Sequence, residues 1–192
     1  MSKALFIVDV QNDFTEEGAL AVEGGDAVAE RITRYLEAHA GEYAVIIASR
    51  DWHDGDDDNG GHFSSEPDYV DSWPVHCVGG TEGAEYDPGL ATGAITHHVK
   101  KGQGKPAYSA FEGATDDGQT VAQILDEHGV VEADITGLTT DYCVRTTASD
   151  AIEHGRHVRL FTDLVAGVAP ESSEAALAEL AHAGAELVES GV

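Results

Sequence analysis

At 192 residues and 42% hydrophobic content, the chain can bury one substantial core, whereas two domains of that total length would each be small. Acidic residues outnumber basic ones 36 to 10, a formal charge of −26, which repels nucleic-acid backbones and anionic membranes. No stretch approaches the roughly 20 apolar residues that span a bilayer, and Met1–Ser2–Lys3 leads into a short apolar run without a signal-peptide pattern. Cytoplasmic location, with no nucleic-acid and no membrane partner, is therefore expected. The two cysteines, Cys77 and Cys143, are expected as free thiols. Whether copies associate as a homo-oligomer is not readable from the sequence.

Residues 4–10 (ALFIVDV) form a nearly continuous apolar run, the mark of a strand buried on both faces. Residues 26–39 carry Val28, Ile32, Tyr35 and Leu36 at helical spacing, and 43–49 (YAVIIAS) is a second buried strand. Residues 50–93, rich in Asp, Gly, Pro and His, lack periodicity; a loop that long inside a domain is usually functional or disordered. Alternation then resumes, with strands expected at 94–101, 133–138, 157–162 and 186–189 and helices at 120–128, 143–154 and 172–183. Strands alternating with helices imply right-handed crossovers. The expected fold is a three-layer α/β domain over 1–192, a mostly parallel six-stranded sheet with helices on both faces, Rossmann-like in architecture.

Ligands of such sheets bind beyond the carboxyl ends of the strands, and four strands deliver chemically capable groups there. Asp9 interrupts the first apolar strand, and a buried carboxylate is costly unless paired. Lys101 ends the third strand and is its natural partner. Only four lysines exist, and three of them (Lys100, Lys101 and Lys105) share one short window. Cys143 follows the fourth strand at the start of a helix, where partial positive charge and free N–H groups lower a thiol's pKa and can hold an oxyanion. Asp51 and His53 follow the second strand, with His62 and His76 further along the irregular segment. One carboxylate and three imidazoles suit a single divalent ion, Zn²⁺, Fe²⁺ or Mn²⁺, without choosing among them. Asp54, Asp56, Asp57 and Asp58 read as a solvated acidic run, and Cys77 as a packed thiol.

Asp9-Val10-Gln11-Asn12-Asp13-Phe14, Asp51-Trp52-His53, Trp73-Pro74-Val75-His76-Cys77, Lys101-Gly102 and Thr140-Asp141-Tyr142-Cys143-Val144 occur in that order. Together they resemble the nicotinamidase/pyrazinamidase branch of the isochorismatase-like cysteine hydrolases, over essentially the whole chain. The resemblance implies a catalytic triad of Cys143, Asp9 and Lys101, and an oxyanion hole from the backbone N–H groups of Thr139 and Cys143 around a cis peptide between Leu138 and Thr139. It also implies metal ligands at Asp51, His53, His62 and His76, and a substrate pocket at Phe14, Trp73, Tyr108 and Leu138. The implied activity is hydrolysis of nicotinamide, and of pyrazinamide, to acid and ammonia, feeding NAD salvage. Two alternatives remain: another amide or C–N hydrolase of the superfamily acting on carbamoyl or ureido compounds, against which the Asp-x-His…His cluster argues, and an inactive binding protein, against which the intact triad argues.

Overall fold

The computed structural model describes residues 2–192. In chain order it contains β1 (Ser2–Val8), α1 (Gly25–His39), β2 (Val45–Asp51), β3 (His97–Lys101), α2 (Val121–Glu127), β4 (Val130–Leu138), α3 (Arg145–Glu153), β5 (His157–Ala166), α4 (Pro170–Ala183) and β6 (Glu186–Val188). The strands form one six-stranded sheet in the order β3-β2-β1-β4-β5-β6, with every neighbouring pair parallel.

Side chains alternate across the sheet with the period of two that a pleated strand imposes. On β1, Leu5 and Ile7 join Val28, Ile32 and Leu36 of α1, while Ala4, Phe6 and Val8 face the other way, toward Ile124 of α2, Ala148 of α3 and Leu180 of α4. Both faces are thus covered, and each fully buried large apolar side chain stabilises the layers by roughly 1.5–3 kcal/mol. The helices start where local chemistry allows. Thr120 caps α2 with its hydroxyl accepting from the Gln123 N–H while the Gln123 side chain accepts from the Thr120 N–H. Pro170 opens α4, where its missing N–H costs nothing.

Several boundaries differ from the sequence reading. β1 stops at Val8 because Asp9 adopts a left-handed conformation (φ 47°) that leaves the ladder. β3 begins at His97 rather than residue 94, and β5 runs on to Ala166. The predicted helix from residue 143 is divided: Thr140–Val144 form one π-helical turn, and α3 starts at Arg145.

The strand order reverses between β1 and β4, the position at which α/β sheets open a crevice. The two strands are in close approach there. Gly137, paired with Val8, has φ 112°, and a Cβ on it would lie 2.1 Å from the Val8 carbonyl oxygen. Gly137→Ala is therefore expected to destabilise the fold by about 1–3 kcal/mol through strain and overpacking. Denaturant unfolding checks this, and a midpoint equal to the parent's would refute it.

Candidate active site

Asp9 leaves β1 and Cys143 follows β4, so the switch point sets an acid beside a thiol. Lys101 reaches the same spot from β3 and is completely buried, as is Asp9. Its Nζ lies 2.9 Å from Asp9 Oδ2, 3.1 Å from the Ala107 carbonyl oxygen and 3.7 Å from Cys143 Sγ, and it also donates to Asp51 Oδ1. One ammonium therefore serves two buried carboxylates. Burial works against its charge, but Asp51 and Asp9 outweigh this and hold Lys101 well above the ordinary lysine value. Asp51 shows the matching result: burial raises it, yet Lys101, His53 and His76 keep it well below the usual carboxylate range.

Asp9 is placed differently. Its Oδ1 accepts from Ser49 Oγ at 2.7 Å, while Oδ2 lacks an aligned hydrogen-bond donor despite the nearby ammonium. Burial raises its pKa, Lys101 opposes this, and Asp51 reinforces the rise. Cys143 is also pushed well above the usual thiol value, by burial first, with Lys101 opposing and Asp9 adding. This corrects the sequence expectation of a thiol lowered by a helix terminus and a nearby cation. The Sγ sits inside the π-helical turn with carboxylate oxygens of Asp9 and Asp51 close by, the three groups lying within 4.8 Å of one another, and this surrounding disfavours the thiolate. The Leu138–Thr139 peptide is cis.

Asp51 joins this cluster to a second one. Its Oδ2 lies 3.6 Å from His53 Nε2 and 3.8 Å from His76 Nε2. The irregular segment 50–93 converges here by short backbone bridges. His53 N–H donates to the Cys77 carbonyl and Trp73 N–H to the His62 carbonyl, bringing His76 and His62 to His53. One ring nitrogen from each of the three histidines lies within 4.8 Å of the others. His53 and His76 each donate Nδ1–H to a carbonyl, of Gly102 and Pro74 respectively, at 2.8 Å, which fixes their tautomers and frees Nε2. His53 seats this closely only because residue 102 is glycine; a Cβ there would lie 2.5 Å from the His53 ring.

The donor set fits a divalent cation. His53 Nε2 and His62 Nδ1 are buried without a hydrogen-bond partner, a cost that a metal ion would relieve. Burial, with His53 and His76 adding, pushes His62 down to about 3, so it is neutral at physiological pH as a ligand must be. The neighbouring acidic run instead wraps Asn59, whose side chain bonds the backbone of Asp54 and Asp57.

Both clusters open into one cavity of about 260 Å³, whose wall includes Asp51, His62, His76, Thr139 and Cys143. Phe14, Trp73 and Tyr108, the pocket positions that the resemblance implies, line it, with Trp73 Nε1–H donating to the Tyr108 hydroxyl at 3.1 Å. Leu138 does not. Period-two alternation along β4 turns its side chain into the apolar layer against α1. Leu20, Tyr69, Tyr142 and Val168 line the cavity without having been anticipated. Only Tyr142, next to the nucleophile candidate, carried a sequence signal. Both cysteines are free, and Cys77 is a buried, packed thiol. Among the described residues, no helix is long and apolar enough to cross a membrane.

A thiol, a carboxylate and an ammonium meet at the switch point of a parallel sheet, beside a pre-oriented imidazole cluster, in the α/β architecture of an amide hydrolase. The Isochorismatase domain model matches residues 3–191, and the chain belongs to the isochorismatase family. It is 48% identical over 186 residues to the nicotinamidase/pyrazinamidase of Mycobacterium tuberculosis, covering 97% of this chain and 98% of that protein. The pyrazinamidase of Pyrococcus horikoshii, solved in complex with zinc, superposes with a TM-score of 0.83 at 39% identity, covering 98% of this chain and 99% of that one. A protein from L. infantum solved in complex with nicotinate gives a TM-score of 0.83 at 34% identity, covering 98% and 93%.

Proposed function

We propose that the protein is a nicotinamidase, hydrolysing nicotinamide to nicotinic acid and ammonia, with pyrazinamide as a second substrate. The observation that carries this reading is the meeting of the Asp9–Lys101–Cys143 cluster and the histidine cluster on one small aromatic-walled cavity. The names of the relatives and the nicotinate held by one of them support the substrate class.

In this mechanism Asp9 Oδ2 takes the thiol proton as Sγ attacks the amide carbon. The N–H groups of Thr139 and Cys143 hold the developing oxyanion. Asp9 returns the proton to the departing nitrogen, ammonia leaves, and a thioester remains on Cys143. Asp9 next takes a proton from the attacking water, and collapse releases the acid and the thiol. Lys101 keeps Asp9 in register and balances the negative charge that Sγ gains. Phe14, Trp73 and Tyr108 hold the ring, excluding water from its faces. Asp51, His53, His62 and His76 would hold the metal, which when bound supplies Lewis acidity for orienting the substrate and acidifying water. Zinc is supported by the Pyrococcus relative, although the donors also suit Fe²⁺ and Mn²⁺. We read residues 1–192 as one such domain whose segment 50–93 carries the metal ligands, working in the cytoplasm, where its free thiols stay reduced.

Ammonia and nicotinic acid released from nicotinamide by the purified protein test the reading. Release is expected to stop after chelation and return with added Zn²⁺, Fe²⁺ or Mn²⁺. No release under any of these ions would overturn it and turn attention to carbamoyl or ureido substrates. Undiminished release after complete chelation would overturn the role of the metal while leaving the thiol mechanism standing.

A further inference from the structure

Asp51 is the residue on which both clusters depend, since one oxygen faces Lys101 and the other faces His53 and His76. What holds its backbone is unusual. On one side Asp51 pairs with Lys101 of β3, and the Trp52 N–H donates to the Lys101 carbonyl at 2.8 Å. On the other side β1 has already ended, because Asp9 turns out of the ladder. The pairing of β1 with β2 runs only to Ile7 and Ala48, followed by one bond from the Asp9 N–H to the Ser49 carbonyl.

The side chain of Gln11 occupies the vacated place. It is completely buried. Its Nε2 donates to the Asp51 carbonyl at 2.9 Å, and its Oε1 accepts from the Asp51 N–H at 2.8 Å, the two bonds that a neighbouring strand would make. The second Nε2 hydrogen goes to the Ala84 carbonyl at 2.8 Å, tying the same amide to the irregular segment. A primary amide suits this place because it donates twice and accepts once while remaining neutral. Glutamate cannot donate to two carbonyls, methionine makes none of the three bonds, and asparagine is one methylene short.

We propose that Gln11 is a positioning residue for Asp51: by standing in for the missing strand it sets the direction of the carboxylate shared by Lys101 and the histidine cluster, and so sets metal affinity. The proposal rests on the reading of that cluster as a metal site. Partners that orient a ligand typically change metal affinity by roughly 10–100-fold when removed.

The test is the Zn²⁺ dissociation constant, measured by competition with a chromogenic chelator, for the parent protein, Gln11→Met, Gln11→Glu, Asp51→Ala and the Gln11→Met/Asp51→Ala double variant. Gln11→Met and Gln11→Glu are each expected to weaken binding by roughly 10–100-fold. The double variant is expected to bind no more weakly than Asp51→Ala, because Gln11 acts through Asp51. A general loosening of the structure would instead add to the loss. Should Gln11→Met fail to fold, the isosteric Gln11→Glu and its own double variant with Asp51→Ala carry the same comparison. Parental affinity in the Gln11 variants, or full additivity in the double variant, overturns the proposal while the metal site stands. A parent protein that binds no Zn²⁺, Fe²⁺ or Mn²⁺ overturns the metal site and the proposal together.

Discussion

Lys101→Met is expected to cost the metal-free protein about 3–5 kcal/mol of stability and to lower turnover by about 10³-fold or more. Methionine fills a similar volume, so the loss is not one of packing. Among the described residues, Lys101 is the lysine or arginine that pairs with Asp9 and Asp51, and both carboxylates are buried. Without it, two desolvated negative charges face each other, and the folded state takes up protons to relieve them. Their folded pKa values then lie above the unfolded ones, so the folded state binds more protons and stability falls as pH rises. The deficit relative to the parent should accordingly be small near pH 4, below which both states are protonated, and grow toward neutrality. Thermal unfolding of chelated protein across that range measures it. A variant that melts with the parent at neutral pH would show that Lys101 is not the shared counter-charge.

Cys143→Ala is expected to leave the melting temperature nearly unchanged and to remove turnover by about 10⁴-fold or more. The side chain contributes only Sγ beyond the Cβ, and that atom faces the cavity with the residue 5% exposed. The loss in rate follows from removing the atom that attacks, and it should be strongly non-additive with Asp9→Asn, because the base has no function without the thiol. Ammonia release from nicotinamide by the single and double variants checks both statements. A double variant much slower than either single would mean that the two act on separate steps. Retained release by Cys143→Ala would remove the nucleophile from the mechanism altogether.

Much of this site could be read from the sequence because a parallel sheet buries its strands on both faces. The runs 4–10 and 43–49 are continuous enough to find, and any charged residue at their ends stands out. Asp9, Asp51, Lys101 and Cys143 were sorted to one edge by that logic alone. What could not be read was the pairing. Strand order is a long-range property, so the sequence pairs Lys101 with Asp9 and shows neither its hold on Asp51 nor the Gln11 amide that replaces a strand. His62 reaches the cluster through aperiodic bridges at Phe63 and Trp73, which no periodicity signals. Tyr69 and Val168 come from connections of the same kind. Leu138 is a different case. The resemblance implies a pocket residue there, but alternation along β4 sends Ala133 and Ile135 to one layer and Leu138 to the other, against α1. The helix terminus and the cation suggest a lowered thiol, but desolvation outweighs them when the same space holds two carboxylates.

In this mechanism the acyl group passes through Cys143. Rapid acid quench of the metal-loaded protein turning over nicotinamide, followed by peptide mass mapping, tests it most directly. A nicotinoyl group is expected on the peptide that contains Cys143, absent from the Cys143→Ala protein. A burst of ammonia stoichiometric with protein, with no acyl group on Cys143, would contradict it.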